Sequence, residues 1–97
     1  MSEIKRIGAG ARMSEAVIHG GKVYTAGVVA DAMVGQSVYE QTKEVLDQID
    51  AILTEAGTDK TRILKANIWL TDIATFADMN KAWDAWVVAE KTPARAT

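Results

Sequence analysis

The side chain best suited to chemistry in this sequence is Arg95, which follows Pro93 closely near the carboxyl end. A proline ends a preceding helix because its ring cannot donate the helical hydrogen bond, and it favours extended backbone just before it. Residues 94–97 are therefore predicted to begin a strand, with a cation where a helix gives way to a sheet. A guanidinium offers a planar fork of donors that suits a carboxylate. Binding of a carboxylate in a cleft and a surface salt bridge both remain open for Arg95.

Other side chains that could act as bases, nucleophiles or metal ligands are few. His19 is the single histidine and has no evident partner to orient it as a general base, so a strand-end or surface position is favoured. Ser14 lacks the G-x-S-x-G context of a serine hydrolase. The chain has no cysteine, and His, Asp and Glu do not recur at metal-ligand spacing. The glycines of residues 8–12 lack the third glycine of a dinucleotide fingerprint. No metal site is predicted.

Composition favours one small cytoplasmic domain. The 97 residues include 11 Lys and Arg against 13 Asp and Glu, for a net charge of -2. Nucleic-acid binding is disfavoured because neutralising phosphates requires clustered cations, which the sequence lacks. No apolar run approaches the roughly 20 residues of a membrane span, and the amino-terminal residues lack the apolar centre of a signal peptide. A cytoplasmic protein that binds neither nucleic acid nor membrane is expected.

The first half of the chain predicts strands followed by a helix. Two β-prone runs, residues 15–19 and 22–29, flank a pair of glycines and predict a hairpin, preceded by a short strand within residues 4–9. Ser37 and Glu40 form a capping-box pattern that begins a helix reaching residue 56. The apolar stripe of that helix predicts three buried side chains, Leu46, Ile49 and Leu53.

The second half predicts a strand, a helix and the strand that carries Arg95. Residues 63–71 alternate, with Leu64, Ala66, Ile68 and Leu70 on one face and Trp69 on the other. Thr75 is predicted to cap a helix that runs to Val88, with apolar positions at Phe76, Met79, Trp83, Trp86 and Val87. This order indicates an α+β fold, with both helices on one face of a sheet. The other face, with Trp69, would need a cover, and self-association is the simplest one.

Taken in order, several segments resemble the YjgF/RidA family of reactive-intermediate deaminases, and most of all its YoaB-like branch. They are the VIHGGKVYTAG hairpin of residues 17–27, the helix of residues 41–57, ILKANIWLTD at 63–72, FADMNKAW at 76–83, and PAR at 93–95. The likeness covers nearly the whole chain and keeps its order and spacing. The succession of the strand, F-x-x-x-N and P-x-R is its most specific part.

The resemblance implies a chorismate-mutase-like α+β fold, with one mixed sheet and two helices packed on one face. It implies a single domain over residues 1–97, expected to be truncated at its carboxyl end, and a homotrimer with clefts between subunits. Family members with the founding activity hydrolyse 2-imino or 2-enamino acids to 2-oxo acids and ammonia without a cofactor. By this likeness, Arg95 would hold the carboxylate of the substrate.

Two positions depart from the pattern of the deaminating relatives. Met13 stands where they commonly have a tyrosine, and Ala26 replaces a serine before Gly27; all three residues are expected to line the cleft. The family's water-positioning glutamate would lie beyond residue 97, so no catalytic residue is assigned. Because two hydroxyl groups are lost, a non-catalytic trimeric module that binds small carboxylate metabolites is the alternative to a deaminase. A ribonuclease or inhibitor of translation is a third interpretation, which the acidic balance disfavours.

Overall fold

A computed structural model describes residues 3–97 of the chain, in which strands precede and alternate with two helices. The strands are β1 (Lys5–Ile7), β2 (Ala16–His19), β3 (Lys22–Thr25), β4 (Lys65–Asn67) and β5 (Ala94–Ala96). The helices are α1 (Val38–Glu55) and α2 (Phe76–Trp86), with short 3-10 helices at Lys60–Arg62 and Ile73–Thr75. This order confirms the predicted α+β class. No helix within residues 3–97 is long and apolar enough to cross a membrane.

The predicted hairpin forms around its glycine pair. Gly20 and Gly21 have φ angles of 60° and 76°, and two consecutive positive φ angles are what a tight two-residue hairpin turn requires. The three amino-terminal strands pair antiparallel in the order β1-β2-β3. The predicted strand up to residue 29 is wrong in its length, because β3 ends at Thr25.

The backbone after β3 bonds to side chains of α1 instead of a neighbouring strand, which explains why β3 is short. The carboxylate of Glu44 accepts hydrogen bonds from three consecutive N–H groups, at 2.8, 2.8 and 3.0 Å, in residues 31–33. Gln48 Nε2 donates to the carbonyl of Val29 at 3.0 Å, and Gln41 Nε2 donates to that of Gln36 at 2.8 Å. Three polar side chains on one helix thus fix the loop of residues 26–37.

Helix α1 begins and ends at the residues that the sequence predicts. Ser37 Oγ accepts a hydrogen bond from the N–H of Glu40 at 3.1 Å, which is the Ser37 half of the predicted capping box. At the other end Gly57, with φ 84°, lets the N–H of Thr58 reach the carbonyl of Leu53 at 2.9 Å. Leu46 and Leu53 are buried as predicted, whereas Ile49 is half-buried against the core.

Helix α2 differs from prediction at both ends. Thr75 precedes it but makes no side-chain capping bond. Asp72 instead accepts from the N–H of Ala74 at 3.0 Å, because a 3-10 turn comes before the helix. The helix ends at Trp86 rather than Val88, since Val87 is already extended. Both tryptophans of α2 are buried, and they form the core with Leu46 and Met79.

Arg95 begins the strand that its position after Pro93 predicts, but the strand pairs with an earlier part of the chain. Strand β5 lies parallel to β4, with Ala66 opposite Arg95. The predicted strand over residues 63–71 is wrong in its length, since only Lys65–Asn67 forms a ladder. Its alternation holds beyond the ladder: Ile68 and Leu70 pack on the core, while Trp69 is 85% exposed.

Leu64 is the exception to the predicted alternation, because it is 72% exposed. The 3-10 helix just before it changes the phase of the side chains, so that Ile63 packs against the core in its place. Within residues 3–97, β1-β2-β3 and β4-β5 form two separate ladders. In the described part of the chain no hydrogen-bonded ladder joins β3 to β4, and the loop after β3 bonds to α1.

Candidate functional site

Parallel pairing of β5 with β4 places the guanidinium of Arg95 against helix α2. Its Nη1 donates a hydrogen bond to Asn80 Oδ1 at 2.7 Å and lies 4.0 Å from Met79 Sδ. The guanidinium carbon stands 5.2 Å from the ring centre of Trp83 and 5.6 Å from that of Phe76. A cation over an aromatic ring is attracted to the negative face of the ring, so these contacts hold the side chain without neutralising it.

The partners of Arg95 decide one question that the sequence left open. Asn80 and Met79 are both neutral, and no carboxylate within residues 3–97 pairs with the guanidinium. The surface salt bridge is therefore not formed in this part of the chain. Both contacts use Nη1, so the donors on Nη2 and Nε remain available to a ligand. Those two nitrogens form one side of the fork that binds a carboxylate through parallel hydrogen bonds.

Asn80 is the residue of this site that sequence reasoning missed. It is half-buried, directly after the fully buried Met79. Its spacing could have revealed it: Phe76, Asn80 and Trp83 lie four and three residues apart and so share one face of α2. That face meets Arg95. The F-x-x-x-N pattern therefore has a structural meaning, which is to put an amide acceptor beside an aromatic ring.

A recess of about 510 Å³ lies elsewhere, between the three-stranded ladder and the loop of residues 9–14. Met13 and Ala26 both line it, and Met13 is 59% exposed. The N–H of Gly10 donates to the carbonyl of Met13 at 2.8 Å and so closes the turn that presents Met13. Gly27 is exposed just beyond Ala26 and does not line the recess.

The predicted site residues thus fall into two groups within one chain. Met13 and Ala26 share the recess, whereas Arg95 is not among the residues that line it. His19 is exposed at the end of β2, next to the hairpin turn, as its sequence context predicts. Residues 3–97 contain no cluster of three or more His, Cys, Asp or Glu side chains suited to a metal ion.

The endoribonuclease L-PSP family model matches residues 3–97, which is every residue that the structure describes. The chain belongs to this family, the YjgF/RidA family. A RutC family protein of Haemophilus influenzae is 47% identical over 94 residues, covering 97% of this chain and 81% of the relative. The RutC family protein YoaB of Escherichia coli is 49% identical over 94 residues, with the same coverage of 97% and 81%. The predicted resemblance is confirmed.

Solved structures of the L-PSP family agree with the fold. A member of the YjgF protein family from Neisseria meningitidis superimposes with a TM-score of 0.92 at 46% identity, covering 97% of this chain and 77% of that structure. The backbone that carries Arg95 and Asn80 in this L-PSP family chain therefore belongs to a fold shared with the Neisseria meningitidis protein. Met13 and Ala26 belong to the separate recess of the same framework.

Proposed function

We propose that this chain binds small 2-imino and 2-oxo acids through Arg95 and hydrolyses 2-imino and 2-enamino acids to 2-oxo acids and ammonia. One observation carries the proposal: a half-buried guanidinium is held by an amide and two aromatic rings, with donors left over. A residue that served only stability would gain more from a charged partner, because hydrogen bonds between two charged groups are the stronger ones. The arrangement suits a cation kept for a ligand.

The proposed reaction asks little of the protein beyond orientation. The carboxylate docks on Arg95, and water adds to the carbon of the protonated C=N group to give a carbinolamine. Loss of ammonia from that carbon leaves the C=O of a 2-oxo acid. Because the protonated imine is itself the electrophile, neither a cofactor nor a nucleophilic side chain is needed. Holding the reactants in place can lower a barrier substantially without further chemistry.

The recess supports the catalytic interpretation more than the departures at Met13 and Ala26 suggest. Ser14, Tyr24 and Thr25 also line it, so hydroxyl groups are still present next to the two changed positions. A hydroxyl can donate to or accept from a water molecule. The second candidate function, a binding module for small carboxylates without turnover, is favoured by the loss of the hydroxyls at residues 13 and 26 themselves.

The proposal includes an assembly of identical subunits, a homotrimer with its sites at the interfaces. Arg95 and the recess with Met13 and Ala26 are separate within one chain, so a neighbouring subunit would have to bring them together. The free face of the segment after β4, with Trp69 85% exposed, is a surface of the kind that subunits bury. Closed rings of identical subunits are a common way to do so.

Substitution of Arg95 tests the proposal. A lysine keeps the charge but lacks the planar fork, so Arg95→Lys should weaken binding of 2-oxobutanoate nearly as much as Arg95→Ala does. Both should also slow the release of ammonia from 2-iminopropionate that an amino-acid oxidase generates in the same solution. Arg62→Ala, at the exposed arginine of the first 3-10 helix, is the matched control and should change neither.

The outcomes separate the two candidate functions. Binding without ammonia release above the uncatalysed rate would favour the binding module over the deaminase. Equal affinity of all four proteins for 2-oxobutanoate would remove Arg95 from the site. Thermal unfolding of each variant must be followed alongside, so that a loss of binding is not confused with a loss of the fold.

A further inference from the structure

The recess beside the hairpin has a charge that the rest of the chain does not share. Two arginines, Arg6 and Arg12, line it, and no Asp or Glu of residues 3–97 does. The chain as a whole carries a net charge of -2. A concave surface of one sign concentrates ions of the opposite sign, because its low-dielectric walls focus the field. The recess is therefore a local anion-attracting site on an acidic protein.

The strand register fixes Arg6 on one wall of the recess. Arg6 lies opposite Val17, and Val17 lies opposite Tyr24, so the three side chains form a row across the face of the ladder. All three line the recess. In the neighbouring row Ile7 is buried, while Ala16 and Thr25 of that row also border the recess. A slip of one residue would turn Ile7 outward and Arg6 inward, so the burial of Ile7 fixes the orientation of Arg6.

Arg12 reaches the recess from its second wall. It stands in the turn that the hydrogen bond from the N–H of Gly10 to the carbonyl of Met13 closes. Arg12 is next to Met13, the position expected to line the cleft, and both line the recess. Two arginines thus line one space, one from a strand and one from a loop, together with the hydroxyl-bearing residues Ser14 and Tyr24.

We infer that Arg6 and Arg12 form a subsite for a second acidic group of the ligand, so that the preferred substrates are 2-imino or 2-enamino dicarboxylic acids. This inference rests on the proposed function, in which Arg95 of a neighbouring subunit holds the first carboxylate. A monocarboxylic acid would leave two arginines in the cleft without an anion. A side-chain carboxylate would pair with both, and Ser14 and Tyr24 could donate to its remaining lone pairs.

The chemistry of the recess favours a small organic anion over a nucleic acid. A phosphate backbone is bound by clustered cations that follow it over many charges, and its affinity depends on how many phosphates are neutralised. Two arginines in a recess of about 510 Å³ match the size and charge of one small acid. Binding of an RNA strand is therefore kept as an outcome of the test.

The test compares 2-oxoglutarate with 2-oxobutanoate as stable product analogues, by calorimetry at low ionic strength on the whole chain. Wild type should bind the dicarboxylate about tenfold more tightly or better, since hydrogen bonds between charged groups are the stronger ones. Arg6→Gln/Arg12→Gln should reduce that preference to about twofold. Lys5→Gln is the matched control: it removes a positive charge one residue away, from a side chain that does not line the recess.

The arms of the test separate this inference from the proposed function. Suppose that Arg95→Ala weakens the binding of both acids while the double variant keeps the wild-type preference for the dicarboxylate. Arg95 then retains its role, and the subsite is overturned. If Arg95→Ala changes nothing but the double variant loses the dicarboxylate, the subsite stands and the role of Arg95 falls. Arginine-dependent binding of a short oligoribonucleotide with no preference between the acids would also overturn the inference. Should the double variant unfold, Arg12→Lys in the exposed turn gives the same comparison with a smaller loss.

Discussion

Arg95 keeps its positive charge available to a ligand because the side chains that hold it are neutral. Asn80 fixes one nitrogen of the guanidinium, and the rings of Phe76 and Trp83 attract the cation without pairing with it. A carboxylate in the place of Asn80 would compete with the substrate. If Arg95 holds the substrate as proposed, a neutral residue at position 80 should therefore favour binding.

Substitution of Asn80 should show this in the order of the affinities. Asn80→Ala removes one hydrogen bond that orients the guanidinium and should weaken the binding of 2-oxobutanoate modestly. Asn80→Asp should weaken it more, by about tenfold or more, because a new carboxylate about where Oδ1 now lies would pair with the guanidinium. The measurement is the dissociation constant in both variants beside thermal unfolding. If Asn80→Asp bound as tightly as wild type, Asn80 would have no role in keeping the arginine free.

At the scale of elements, helix α1 joins the core to the loop that follows β3. Its inner face packs Leu46 against Met79 and the tryptophans of α2. Its outer polar positions, Glu44 and Gln48 among them, bond to the backbone of the loop. The two functions are separable, because truncation of an apolar side chain affects packing whereas substitution of a polar one affects the loop.

The packing of α1 predicts a large effect at Leu53 and a small one at its neighbour. Leu53 is 7% exposed, so Leu53→Ala should lower the free energy of unfolding by about 2–5 kcal/mol, through lost burial and the cavity left behind. Thr54→Ala, at the exposed position next to it, should cost less than about 0.5 kcal/mol. Chemical denaturation measures both. Similar losses in the two variants would mean that the inner face of α1 is misassigned.

The attachment of the loop to α1 predicts a dependence of stability on pH. Hydrogen bonds from the backbone of Met33 and Asp31, and a weaker one from Ala32, hold the pKa of Glu44 below its ordinary value of 4.5. A carboxyl whose pKa is lower in the folded state stabilises the fold above its unfolded pKa, and that contribution is lost as the pH falls through the folded pKa. At neutral pH, wild type should thus have a higher melting temperature than Glu44→Gln.

The difference between the two proteins should shrink as the pH falls below about 4.5 and should vanish once the pH has passed through the lowered pKa of folded Glu44. Thermal melts from pH 7 to pH 3 measure it. Glu55→Gln on the same helix controls for the removal of a carboxylate. A difference that stayed constant over this range would show that the charge of Glu44 does not hold the loop. Asp59, whose pKa is lowered by hydrogen bonds that the hydroxyl and the N–H of Thr61 donate to its carboxylate, contributes to both melts equally.

The helices and the hairpin could be predicted from local sequence signals, whereas contacts between distant segments could not. The glycine pair, Ser37 and Gly57 act within a few residues, so the hairpin and both ends of α1 were predictable. The path of the loop after β3 depends on Glu44, eleven to thirteen residues after the loop residues that it bonds, and no local pattern carries that information. The contact of Arg95 with Asn80 likewise follows from parallel pairing across α2, although the spacing of Phe76, Asn80 and Trp83 hinted at the face involved.

At the scale of the whole molecule, a single chain leaves large apolar side chains exposed. It also leaves the two groups of predicted site residues apart. Trp69 and Leu64 are 85% and 72% exposed, on the segment around the strand that pairs with β5. Arg95 on β5 and the recess of Met13 do not meet within the chain. A single arrangement of identical subunits would account for both features, since it would bury the apolar surface and complete the cleft.

A charged side chain in place of Trp69 should therefore dissociate the assembly and, with it, disrupt the site. Sedimentation of wild type at micromolar concentration should give a trimer, whereas Trp69→Glu should give a monomer, because an interface cannot bury an unpaired carboxylate cheaply. Thr54→Glu, at an exposed position of α1, is the control and should remain a trimer. Circular dichroism should be the same for all three proteins, since the core around Met79 lies within one chain.

Binding should follow the assembly. The monomer of Trp69→Glu keeps the contact of Arg95 with Asn80, because both belong to one chain. It should nevertheless lose affinity for 2-oxobutanoate if a neighbouring subunit supplies the recess. For wild type, the apparent affinity should then fall on dilution through the trimer–monomer equilibrium, since the ligand stabilises the associated form. A wild-type monomer, or a monomeric variant that binds as tightly as wild type, would show instead that one chain carries the complete site.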